Sequence, residues 1–185
     1  MLVKIKLKNA DDYALITSEA YEKITSNPYF KKIGFLENLR MHSAGYAVFA
    51  KNHPMKNGGY KNETIYLHKF IAEYYVPQPE SKRRLFVSFK NGNQLDCRPD
   101  NLEWVTMADL RRNQKYTRSK TGFRGVTKDR NGYRAFIYDG TKRYELGTFR
   151  TVEEAASAYN SKSIELFGKT RGLNNLKKLR EVAAN

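Results

Sequence analysis

Apolar and polar positions repeat with two different periods along this chain, and each change of period marks an element. LVKIKL alternates apolar and basic side chains with period two, as a half-buried strand does. ALITSEAYEKITSN reads as a strand running into a short helix, GYAVFAK as another strand, and HPMKNGGYKNE as a polar turn region. TIYLHKFIAEYYV begins as a strand and becomes helical, with Phe70, Ile71, Tyr74 and Tyr75 on one face and Pro77 and Pro79 ending it. A loop carrying Lys82, Arg83 and Arg84 leads into the β run LFVSF. NGNQ is a turn signal, and DNLEWVT leads into a polar helix, MADLRRNQKY.

KYTRSKTG has no apolar period and reads as a basic linker. Beyond it the pattern predicts three strands: FRGVT, YRAFIYD and KRYELGTF, the last two joined by a turn at Asp139–Gly140. Thr151 then begins a helix, because Glu154 stands three residues on, the spacing of a capping box. Ala155, Ala158, Tyr159, Ile164 and Phe167 form its expected apolar face, and Gly168 can end it. Period two places Tyr133, Ala135 and Ile137 on one side of the second strand and Arg134, Phe136 and Tyr138 on the other. The expected fold is α+β.

Composition narrows the function. Across 185 residues, 34 Lys and Arg face 19 Asp and Glu, a net charge of +15. Nine basic residues fall between Arg111 and Arg134, against one acid, Asp129. Such clustering favours a polyanionic partner, nucleic acid ahead of a membrane surface. No apolar run approaches the roughly 20 residues of a membrane span, and the N-terminus lacks a signal-peptide apolar region. A cytoplasmic protein is expected, nucleoid-associated or in a host cell's cytoplasm if phage-encoded. The single cysteine, Cys97, excludes an internal disulfide and a Cys-based zinc site, and His42, His53 and His68 show no ligand spacing, so no metal is expected on these grounds.

Two stretches resemble known families. RGV, YRAFI, ELGTF, EEAASAYN, FGK and LN, in that order over residues 122–176, resemble an ethylene-response-factor (Apetala-type) DNA-binding domain. The resemblance implies a three-stranded antiparallel sheet on one helix. Its outer face would present Arg124, Arg134 and Arg143 to a DNA major groove, with Thr127, Lys128, Arg130, Phe136, Tyr138 and Lys142 nearby. Glu145 stands where plant members carry Trp, so their target sequence does not carry over.

YLHKFIAEYYVPQPE and KNGNQLDCRPDNLEWVTMADLRRN, within residues 64–115, resemble the HNH homing endonucleases of phages and mobile introns. That family needs a histidine general base and one divalent metal, Mg or Mn. Alignment on GN and NLEWVT puts the base at Phe89, metal positions at Ser88 and Leu110, and the DGN aspartate at Asn91. Asn101 is kept and is expected to tie the loop and helix together. His68 matches a histidine that supports the fold or contacts DNA, and Trp104 is expected in the core. Asp96, Asp100 and Asp109 are expected as caps, and Cys97 as a loop or core residue. The expected layout is a mainly-β region (1–57), a degenerate ββα-type HNH module (58–115), a basic linker (116–121), the ethylene-response-factor-like domain (122–176) and a basic tail (177–185).

Several functions remain open on this reading. The first is a sequence-specific double-stranded DNA-binding protein derived from a homing endonuclease, catalytically inactive, acting as a transcriptional or mobile-element regulator. Lys82, Arg83, Arg84, Lys90, Arg98, Arg111 and Arg112 would then dock on phosphates. Others are an active metal-dependent nicking enzyme and an RNA-binding ribonucleoprotein component. Oligomeric state is not legible.

Overall fold

The computed structural model describes residues 1–114, 117, 119–140 and 142–176. It is a mixed α+β structure of small antiparallel sheets and helices. Two compact units divide the chain, Met1–Thr106 and Met107–Asn185. The expected tail at 177–185 lies outside the described residues. Among the described residues no helix is long and apolar enough to cross a membrane.

The first unit opens with a hairpin of β1 (Leu2–Lys6) and β2 (Tyr13–Thr17). Helix α1 (Ser18–Ser26) starts where the Thr17 side chain accepts from the Ala20 N–H at 3.3 Å. Helix α2 (Pro28–Ile33) starts at Asn27, whose Oδ1 accepts from the N–H groups of Tyr29 and Phe30; both caps satisfy donors that a helix start leaves open. Strands β3 (Arg40–Met41), β4 (Ala47–Pro54) and β5 (Tyr60–Tyr66) form the second sheet. The β4–β5 ladder runs to Pro54↔Tyr60. The turn expected over 53–63 is therefore mostly paired strand, closed by residues 55–59. Polar side chains hid it, because this far end of the ladder buries little and needs no apolar face.

Helix α3 (Leu67–Tyr75) buries Leu67, His68, Phe70, Ile71 and Ala72, while Tyr74 is exposed rather than on the core face as expected. A hairpin of β6 (Leu85–Phe89) and β7 (Leu102–Thr106) completes the unit, with a 3-10 turn at Pro99–Asn101 before β7. One apolar cluster runs from Leu7 and Ile16 through Phe35, Phe49 and Ile71 to Leu102. Residues 1–57 and the segment after them thus share a core, and the boundary expected at 57/58 falls inside it. Backbone bonds reinforce this: Leu15 N–H donates to Leu95 O at 2.8 Å and Cys97 N–H to Leu15 O at 2.9 Å.

In the second unit α4 (Met107–Arg112) precedes β8 (Val126–Asp129), β9 (Gly132–Asp139) and β10 (Lys142–Phe149), a sheet ordered β10-β9-β8. Helix α5 (Val152–Phe167) packs on one face of it. Its capping box is formed by Thr151 and Glu154, and Gly168 closes its end with an N–H to Ile164 O bond. Ala155, Ala156, Tyr159 and Ser163 are buried on it, whereas Ile164, expected on the apolar face, is exposed. Small residues at 155 and 156 let the helix approach Val126 and Ala135 closely. Gly125 has φ 67°, and a Cβ there would come within 2.2 Å of the Tyr159 ring and 2.4 Å of Phe136 O, so only glycine fits. The expected linker is partly built into this unit: the Ser119 and Thr121 hydroxyls both donate to Val126 O at 2.9 Å.

Candidate nucleic-acid interface

The β6–β7 hairpin is held by a polar network at its loop. Asn101, 7% exposed, donates from Nδ2 to Asp96 O at 2.7 Å, and its Oδ1 accepts from Asn91 N–H at 2.9 Å. Asp96 is not a helix cap. Its buried carboxylate accepts from Arg98 Nε at 2.8 Å, Arg98 Nη2 at 2.7 Å and Asn91 Nδ2 at 2.9 Å. Hydrogen bonding from Arg98 holds that carboxyl below the usual range. Arg98 is therefore held by the buried Asp96, with 44% of its side-chain surface still open. Lys90 likewise donates its ammonium to Asp100 O at 2.9 Å. The D-x-R spacing of Asp96 and Arg98 was visible in the sequence. Burial of the acid, which makes the pair strong, was not.

Phe89 and Ser88 are both buried on β6. The Phe89 ring lies 5.0 Å from the His68 ring and 6.0 Å from that of Tyr46. His68 in turn lies 4.9 Å from Tyr46 and 5.6 Å from Tyr66. It is 3% exposed, and its Nδ1 has no hydrogen-bond partner among the described residues. Burial, with the nearby Lys69 charge, lowers its pKa to about 4, so the ring is neutral at physiological pH. Trp104 donates from Nε1 to Val76 O at 3.0 Å and packs against the same core. Burial pushes the Cys97 thiol up, keeping it un-ionised. Arg83 and Arg84 are exposed ahead of β6, with Arg84 over the Phe86 ring at 5.3 Å.

In the second unit, the sheet face away from α5 carries Arg134, Phe136 and Tyr138 from β9. Register adds Thr127 (opposite Arg134), Arg143 (opposite Tyr138) and Glu145 (opposite Phe136). Arg143 spans the Phe136 and Tyr138 rings at 4.3 and 6.0 Å and pairs with Glu145 at 2.8 Å. Arg134 pairs with Asp129 at 2.6 Å. The Arg130 backbone N–H and then Arg134 hold the Asp129 carboxyl low. Both arginines are thus oriented, yet 48% and 41% of their side-chain surface stays open. The two carboxylates were not anticipated, although the two-residue spacing of Arg143 and Glu145 was readable. Arg130 sits in the exposed β8–β9 turn.

Two residues expected near this face fall on the opposite parity, and a third, Arg124, is engaged by carbonyls. Lys128 is paired with Tyr133 and Lys142 with Asp139, positions of the helix-side parity; antiparallel partners share a face. Arg124 is engaged within the unit: its guanidinium donates to the carbonyls of Arg111, Arg112 and Gln114 at 2.9, 2.7 and 2.6 Å. Its backbone is held by Asn174 on both sides, 2.7 Å to its N–H and 3.0 Å to its carbonyl. Arg112 bonds Asp109 and covers the Phe167 ring at 4.1 Å, so Asp109 is an ion-pair partner. Arg111 is exposed on α4, and Leu110 is half-buried there.

Residues 65–112 match the HNH endonuclease family model. The chain therefore carries an HNH endonuclease-type segment, from the end of β5 through α4. An AP2/ERF and B3 domain-containing transcription factor of Arabidopsis thaliana is 49% identical over 47 residues, which is 25% of this chain and 13% of the plant protein. A solved structure described as DNA binding and cleavage by the HNH homing endonuclease I-HmuI is 27% identical, with a TM-score of 0.32 over 42% of this chain and 40% of that one. The chain thus spans less than half of either protein.

Proposed function

We propose that this chain is a sequence-specific duplex DNA-binding protein, a transcriptional or mobile-element regulator whose HNH segment no longer cleaves. The observation that carries the reading is the outer sheet face: Arg134 and Arg143 are oriented by Asp129 and Glu145 beside Phe136 and Tyr138, opposite the helix-covered side. A β-sheet of this width fits a major groove, and arginine forks read guanine edges. The resemblance of residues 122–176, together with the match to a plant protein named for an AP2/ERF domain, supports an ethylene-response-factor-like reader. Phosphate contacts from Arg83, Arg84 and Arg111 would position it.

Support for the loss of cleavage comes from the residues that the family resemblance assigns to chemistry. Phe89 offers no lone pair and is packed against His68 and Tyr46. Ser88 is a buried neutral hydroxyl, and Leu110 has no donor. Mg²⁺ and Mn²⁺ take oxygen ligands, carboxylates above all; Phe89 and Leu110 offer none, and Ser88 offers one buried neutral hydroxyl. Loss of a general base alone costs roughly 10²–10⁴ in rate.

The test is binding of fluorescent duplex DNA competed by structured RNA. Duplex DNA competes better on this reading. Arg134→Ala weakens a preferred sequence by about 1–3 kcal/mol and a random one less. Stronger competition by RNA would move the protein to the ribonucleoprotein class.

A further inference from the structure

The N-terminal region carries no recognisable chemistry in its sequence, yet it gathers cations from three separated segments. Lys8 follows β1, Arg40 lies on β3 and Lys51 on β4. Together with Ile33, Asn38, Phe49 and Ala50 they line one cleft of about 340 Å³, with no carboxylate in its lining.

The backbone segments that carry two of these cations are fixed side by side. Lys8 N–H donates to Leu39 O at 2.8 Å, the residue before Arg40. Asn9 clasps the residue after it: Oδ1 accepts from Met41 N–H at 2.7 Å and Nδ2 donates to Met41 O at 3.0 Å. The Lys8 ammonium is aimed by Asn38 Oδ1 at 2.8 Å, and Asn38 is itself held by Gly34 O at 2.8 Å. A neutral amide orients the ammonium without cancelling its charge. Lys51 stands across the β4–β5 ladder from Glu63, which Tyr29 and His53 also engage, so Lys51 is the partly offset member.

Other charges in this unit are treated differently. Lys6 is neutralised by Asp11, and Arg98 by the buried Asp96. Lys8 and Arg40 instead line an open cleft, and among the described residues no acid is paired with either. A cleft lined by positive charge focuses the field of an approaching polyanion, and Arg and Lys are the side chains that meet phosphate oxygens.

We propose that Lys8 and Arg40, with Lys51 beside them, form a docking surface for backbone phosphates of duplex DNA. This surface would contact DNA independently of the sheet face of the second unit. The inference rests on the duplex-binding reading given above.

The test is the salt dependence of duplex affinity for the full chain. Each phosphate contact contributes about 0.9 to the slope of log affinity against log salt. Lys8→Gln with Arg40→Gln should lower the slope by about 2. Lys4→Gln with Lys23→Gln removes the same charge from exposed positions on β1 and α1 and should leave the slope near wild type. Lys8→Arg with Arg40→Lys keeps the charge and should keep the slope, which separates lost contacts from lost folding.

An unchanged slope in the Lys8/Arg40 glutamine variant, with wild-type duplex binding intact, overturns this surface alone. Equal losses in both glutamine pairs overturn it as well, since a diffuse field would explain them. A slope change seen with structured RNA and not with duplex DNA overturns the choice of partner. Failure of the wild-type chain to bind duplex DNA at all overturns the proposed function together with this surface.

Discussion

Replacing Asn101 with Ala tests whether the HNH-type hairpin is held by its polar loop rather than by its strands alone. Asn101 bridges two groups that differ in access to water. Asp96 O, which accepts from Asn101 Nδ2 at 2.7 Å, belongs to a residue 2% exposed, and the bond itself is buried. Stripping a buried acceptor costs about 1–3 kcal/mol. Asn91 N–H, donating to Asn101 Oδ1 at 2.9 Å, belongs to an exposed residue. Water can replace that bond, so its loss adds at most about 1 kcal/mol. The expected total is about 1–4 kcal/mol. Trp104, the single tryptophan, lies on β7 of the same hairpin and reports this unit by fluorescence. With a urea slope of about 1–3 kcal/mol/M, the midpoint falls by on the order of 1 M. A loss below about 0.5 kcal/mol would mean that the Asp96 carbonyl has another partner and that the loop does not hold the hairpin. Asn101→Asp should be no better. It keeps the acceptor for Asn91 but sets a carboxylate beside Asp96 O.

The remaining predictions concern pH, capping and charge. The folded pKa of His68 is lowered to about 4, below its unfolded value. Its contribution is therefore complete above the unfolded pKa of about 6.5 and is lost as pH falls towards the folded value. Between about pH 7.5 and about pH 5 the first unit should lose about 2 kcal/mol through this group, and His68→Phe should flatten that slope in urea titrations. Asp96, held below its usual range, adds a second loss at lower pH, near and below its unfolded pKa, which Asp96→Asn removes. Thr151→Ala breaks the capping box of α5 and should destabilise the second unit by about 0.5–2 kcal/mol, read by circular dichroism on melting. Arg111→Gln should lower the salt slope of duplex binding by about 1, while Arg98→Gln should leave it unchanged because Asp96 already holds that guanidinium.

How much was legible in the sequence depended on the reach of each signal. Strand and helix periods placed β1, β6, β9, β10 and α5 because their apolar faces meet a core, as Ala135 and Ile137 do on β9. The Thr151–Glu154 spacing identified a helix start because a cap is local chemistry. The outer end of the β4–β5 ladder was hidden, since paired strands that bury little carry no apolar alternation. Site residues were readable as types and positions but not as commitments. Arg98 and Arg124 looked free, and one is spent on a buried carboxylate and the other on three carbonyls. Lys128 and Lys142 lie one register step from the outer face, and only strand pairing decides their side. Lys8 and Arg40 are 32 positions apart in the numbering and meet only because Asn9 and Leu39 bind the two segments together.

The central claim is that an HNH-type segment here serves recognition without cleavage. It is tested most directly by incubating the chain with a randomised duplex library, in Mg²⁺, in Mn²⁺ and in chelator, and sequencing both retained and cut molecules. An enriched motif on intact DNA, the same in all three conditions, is expected. Metal-dependent breaks at a fixed position, absent in chelator, would contradict it and would require a working base and metal site despite Phe89, Ser88 and Leu110.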